Sequence, residues 1–249
     1  MHIETTIRRC LVNKRFLISI VLVVAWALPS FSQQSGSETG PLTIEQLFLQ
    51  ISPEIKLIRV QAFTEDRDTK LDALEDIQSM INEGRLSAEA PGAPEAHFIL
   101  DYLASEGMTR TVRESSRLIN YYPEVRRRAV NLLGKLGGAG ATDSLIQALV
   151  TDIEPMVLAE AAYALGTIGE NTDNQTSQAL ARVVLSQDVV APDNNLAFAS
   201  LLAFEKIAES NGGLNDALAF HAIIRIAQGN YIRSVRLKAI EVIDVLRSY

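Results

Sequence analysis

A single cysteine, Cys10, is the whole thiol content of this 249-residue chain, and histidine (three) and tryptophan (one) are nearly as scarce. Cys10 falls in an N-terminal stretch that reads as a removable leader, so the mature chain has no thiol, disulfide or thiolate metal site. Beyond that stretch the histidines are His97 and His221, and neither belongs to a His-x-x-x-His or His-Glu pair. Local spacing therefore offers no metal site. Each histidine has apolar neighbours, Ala96 and Phe98 or Phe220 and Ala222, as a packed side chain would. No Gly-x-Ser-x-Gly elbow or phosphate loop occurs. "GGAGA" at 137–141 follows a helical pattern and lacks a third glycine, so it reads as a turn. These absences predict no catalytic residue, no metal, no cofactor and no enzymatic activity.

A long apolar run is also lacking. "FLISIVLVVAWAL", Phe16 to Leu28, has 13 uncharged residues, fewer than the roughly 20 that span a bilayer as a helix. Arg8, Arg9, Lys14 and Arg15 precede it, and Pro29 and "SFSQQSGSETG" follow. A basic start, a short apolar run and a small-residue exit predict a secretory signal peptide over 1–32, cleaved near Ser32–Gln33. The alternative is a retained anchor. Cleavage would leave 19 Lys and Arg against 29 Asp and Glu, a net charge of −10, with no transmembrane helix. So acidic a chain, exported to the periplasm or envelope, is a poor partner for nucleic acid.

Residues 33–42, "QQSGSETGPL", read as a flexible lead-in. "TIEQ" at 43–46 has capping-box spacing, and Ser52-Pro53-Glu54 starts a helix with a cap, a proline and an acid. From 43 to 249 the periodicity is helical, with no convincing strand alternation. One pattern recurs. "PEVRRRAVNLLGKLG" at 123–137 is rewritten 32 residues later as "PMVLAEAAYALGTIG" at 155–169. The aligned positions begin at Thr69, Val125, Val157, Leu196 and Val235. Four residues on stand Ala73, Ala129, Ala161, Ser200 and Ala239. Ile77, Leu133, Leu165, Phe204 and Ile243 follow, then Met80, Leu136, Ile168, Ile207 and Leu246. Offsets of four, four and three put these on one helix face, and the small second position allows a neighbouring helix close.

After each of the middle three copies comes a turn and a second apolar helix: "ATDSLIQALV", "NQTSQALARVVLS" and "LNDALAFHAIIRIA". Repeated helix pairs predict an all-α solenoid, each unit stacked on the last. The clearest units span 123–152, 155–188 and 194–228, with a terminal helix at 232–248. The 56-residue gap between the first two copies leaves room for "PEAHFILDYLASEG" and "TRTVRESSRLINYY" as extra helices.

These units resemble HEAT repeats of the short bacterial type known from phycobilisome lyases, and the chain is similar to exported HEAT-repeat proteins of spirochaete-like bacteria. The resemblance is most specific over 123–169 and weaker over 190–249 and 53–106. It implies an armadillo-type, right-handed superhelix after the signal peptide. Its second helices would line a concave surface that commonly binds proteins. It also implies that Arg126, in a Val-Arg position, pairs with an acid of a neighbouring repeat, for which Asp152 is the candidate.

Two surface features bear on function. Arg110, Arg113 and Arg117, at i, i+3 and i+7, predict a stripe on one helix, inside a stretch, 110–128, with six arginines and two acids. The stripe is either a solvated face or a contact for an anionic partner. Anchoring the second helices on Leu145, Leu180 and Leu218 places Gln147, Arg182 and Phe220 in an outward column, unless Phe220 turns into the core. Arg233, Arg236, Glu241, Asp244 and Arg247 give the last helix a polar face. The sequence thus points to an exported scaffold for an unidentified protein partner. Alternatives are an arginine-mediated binder of anionic envelope lipid or polymer, and a lyase-like chromophore carrier.

Overall fold

The computed structural model describes residues 52–138 and 140–249. The expected leader, lead-in and capping box at 43–46 lie outside the described residues.

Ten α-helices carry the described chain. α1 (Pro53–Ala62), α4 (Pro123–Leu136) and α6 (Pro155–Ile168) each begin with proline, whose fixed φ suits the first helical turn. Ser52 Oγ caps α1 by accepting from Glu54 N at 3.2 Å. α2 (Arg67–Asn82) starts at Asp66, which accepts from Thr69 N and Oγ1 at 2.8 and 2.7 Å. α3 covers Ala93–Ala104, α5 Ala141–Thr151 and α7 Gln175–Val190. α8 (Asn194–Asn211) and α9 (Ala217–Gln228) are capped by the carboxylates of Asp193 and Asp216. α10 runs Arg233–Leu246.

The helices form two layers. α2, α4, α6, α8 and α10 stack in sequence, and α1, α3, α5, α7 and α9 form the second layer behind them. α1, α3, α5 and α9 each pack chiefly on the first-layer helix that follows, so α10 rests on α9 as well as on α8, whereas α7 packs most on α9. The small position is sealed in every copy: Ala73, Ala129, Ala161, Ser200 and Ala239 are all 0% exposed. Two glycines of the first layer also sit against the neighbouring helix with no room for a side chain. A Cβ on Gly134 would stand 2.6 Å from Ala164 Cβ, and one on Gly166 would stand 2.5 Å from Ala203 Cα.

The stretch 109–122 corrects the sequence reading. It holds no helix. Strand β1 (Arg113–Glu114) pairs antiparallel with β2 (Arg117–Leu118), with Arg113 opposite Leu118 and Glu114 opposite Arg117. Ser115 and Ser116 take φ of 47° and 72°, the left-handed pair that a two-residue hairpin turn requires. Asn120 replaces the helical hydrogen bonds. Its Oδ1 accepts from Val112 N at 2.8 Å, and its Nδ2 donates to the Arg110 carbonyl at 2.6 Å. Side-chain amides that satisfy the backbone locally compete with helix in this way.

Candidate functional site

The insertion between α3 and α4 is tied to the solenoid by the buried Lys70–Glu106 ion pair and by a hydrogen bond from the buried Arg126. Arg126 on α4 is fully buried, with Nε 2.6 Å and Nη2 3.1 Å from the two Asp152 oxygens, so the expected pair forms. Asp152 also accepts from Ile153 N and Glu154 N, fixing the turn into α6. Burial disfavours the Arg126 charge, but the hydrogen bonds and charge of Asp152 outweigh it and hold its pKa above the ordinary value. Arg126 Nη1 donates to the Glu106 carbonyl at 3.1 Å. The Glu106 side chain then accepts from Lys70 Nζ at 2.9 Å and from Asn120 Nδ2 at 2.8 Å. Lys70 also donates to the Ala62 carbonyl at 3.0 Å. Glu106 thereby links α1, α2, α4 and the hairpin base.

Above this floor lies a cleft of about 180 Å³, lined in part by Phe63, Tyr102, Arg110, Val112, Ile119 and Tyr122. Phe63 stacks on Tyr102 with centroids 4.1 Å apart, and on Phe98 at 6.0 Å. The Arg110 guanidinium lies 4.8 Å from the Tyr102 ring centroid, within cation–π range. Phe63, Phe98 and Val112 are exposed. Chain order gave little hint of the cleft, because its walls come from α1, α3 and the insertion. The sequence signal was an excess of aromatic and β-branched residues at positions the repeat does not need.

The hairpin disperses the expected arginine stripe. Arg113 and Arg117 occupy different cross-strand pairs and so point to opposite faces, while Arg110 sits at the base over Tyr102. Arg113 Nη1 donates to the Ser116 carbonyl at 3.2 Å. Among the described residues none of the three lies within ion-pair distance of an acid. On the second layer, Gln147 and Arg182 are exposed, whereas Phe220 is half-buried against the core, so the expected column breaks at its third member. Val150, Val189 and Ile224 are exposed on the same layer. The first layer carries an apolar groove of about 390 Å³ beside Tyr163, Phe198 and Ile232. His221 is exposed rather than packed, and His97 Nε2 is buried without a hydrogen-bond partner. Among the described residues no group of three or more His, Cys, Asp and Glu is placed to hold a metal ion.

Residues 116–191 match the family model for HEAT repeats. No curated protein matches the chain. A solved structure, the complex of CpcE and CpcF of phycocyanin lyase from Nostoc sp. PCC7120, is similar at 14% identity, covering 87% of this chain and 98% of that one with a TM-score of 0.37. The expectation of no enzymatic activity is corrected on this finding, since the similar chain belongs to a lyase complex. Missing local motifs cannot exclude chemistry on such a scaffold, because a solenoid can assemble a site from separate repeats. The likeness assigns no reaction to this chain.

Proposed function

We propose that this HEAT-repeat protein is a protein-interaction scaffold, exported and acting in the periplasm or cell envelope. The observation that carries the reading is the insertion at 105–122, which interrupts the repeat beside the exposed rings of Phe63 and Phe98 and brings three arginines with no acid in ion-pair distance among the described residues. Aromatic and arginine side chains at an exposed rim are enriched in protein interfaces. Export rests on the basic, apolar and small-residue order of residues 1–32. No helix among the described residues is long and apolar enough to cross a membrane.

The alternative of a flat anionic surface is weakened by the hairpin, because Arg113 and Arg117 face opposite ways and one plane meets only one of them. The test is in-cell crosslinking from a photoreactive residue at Ser116, with fractionation and N-terminal sequencing of the full-length product. A protein adduct in the envelope fraction, on a chain starting near Gln33, is the expected result. Crosslinks to lipid alone, or a product kept in the cytoplasm, would overturn the reading.

A further inference from the structure

We infer that the α3–α4 cleft is an anchor pocket for one apolar side chain of a partner protein, and that this side chain is flanked by acidic residues. The inference rests on the scaffold reading and names its partner's chemistry.

Size sets the first limit. A cleft of about 180 Å³ is below the roughly 300–1,000 Å³ typical of small-molecule sites, but it accommodates a single aromatic or branched aliphatic side chain. Its walls suit that occupant: Phe63 and Tyr102 present stacked rings, and Val112 and Ile119 close the other side. The floor is already satisfied. Lys70 and Asn120 both bond Glu106, so the floor offers no unpaired charge to a polar head, and the remaining charges of the lining are Arg110 and the exposed Glu65. Deep polar recognition is therefore absent, and apolar burial supplies the anchor.

Charge sets the second limit. Arg110 reaches over Tyr102 at the mouth, and Arg113 and Arg117 stand on the two faces of the hairpin beside it. None has an acid within ion-pair distance among the described residues. The middle of the solenoid is acidic, with 3 basic residues against 11 acids over 129–224. A basic partner segment would be drawn to that larger surface, whereas an acidic one is repelled there and steered to the insertion. Arginines on opposite hairpin faces also fit an extended segment running past the hairpin better than a plane.

The experiment is selection of random phage-displayed peptides on the folded 33–249 chain, with each recovered peptide synthesised and titrated by fluorescence anisotropy. Two variants act as controls. Arg110→Glu reverses the charge at the mouth. Val112→Trp fills the cleft from an exposed position, leaving the buried network intact. Circular dichroism melting confirms that both fold like the parent. The expected peptides carry Asp or Glu beside one Phe, Tyr, Leu or Ile, bind about tenfold or more weakly to each variant, and weaken as salt rises. Peptides that bind both variants as well as the parent would overturn the pocket while leaving the scaffold reading in place. A basic consensus would overturn the charge assignment. Co-sedimentation with phosphatidylglycerol vesicles that survives Val112→Trp but is lost in an Arg113→Glu/Arg117→Glu double variant, with no peptide selected, would overturn both readings.

Discussion

Lys70 Nζ and Glu106 Oε2 lie 2.9 Å apart with their side chains only 1% and 5% exposed, 36 residues apart in the chain. The pair brings α2 and the start of the insertion together where solvent is excluded. Removing one partner strands a buried charge, so Lys70→Met or Glu106→Leu alone is expected to destabilise by about 3–5 kcal/mol. The double variant Lys70→Met/Glu106→Leu should recover a substantial part of that loss. Urea unfolding of the four proteins checks it, and a double variant worse than both singles would refute it.

Gly166 sets two effects against each other. In a helix interior Gly→Ala ordinarily gains about 1 kcal/mol. Here the new Cβ would stand 2.5 Å from Ala203 Cα, and overpacking costs about 1–3 kcal/mol. The contact is with backbone, which cannot swing aside, so the clash should win. Gly166→Ala is expected to lower the melting temperature, and a rise would show that α6 and α8 separate freely.

The hairpin turn is testable by its backbone demand. Ser115 and Ser116 both hold positive φ, which Asn and Gly adopt at less cost. Ser115→Asn/Ser116→Gly is expected to stabilise the protein by about 1 kcal/mol and slow proteolysis at the tip. A helix at this site would respond the opposite way, because glycine weakens helices.

Asp66 gives a pH signature. The backbone hydrogen bond from Thr69, then the Thr69 hydroxyl, lowers its carboxyl pKa below the ordinary 3.8. A lowered folded-state pKa means that the unfolded chain binds the proton more readily. The stabilisation is therefore present above the unfolded value and is lost as pH falls through the folded one. Asp66→Asn keeps a capping oxygen without a titrating group. Its stability relative to the parent should therefore improve as pH drops below about 4, measured by denaturant titration across the acid range.

Much of the fold was legible in the chain. Periodic apolar positions and an invariantly small slot reported which helix faces are buried, since close packing leaves few residue types that fit. Arg126 with Asp152 was legible once the repeat was recognised. The arginine stripe misled because i, i+3 and i+7 spacing only forms a stripe if the segment is helical. Nothing in Arg110, Arg113 and Arg117 themselves decides that; Ser115, Ser116 and Asn120 do. Phe220 was ambiguous for a related reason, because a helix-edge position is buried or exposed according to its neighbour.

By itself, then, the sequence determined the layered helical stack, since each repeat must bury its apolar face against the next. Only the tertiary structure decided where the stack is interrupted and what gathers there. Phe63, Tyr102, Arg110 and Val112 become one cleft because Glu106 bonds Lys70 from α2 and Asn120 from the hairpin base. That convergence depends on contacts between residues far apart in the chain, which no local pattern encodes.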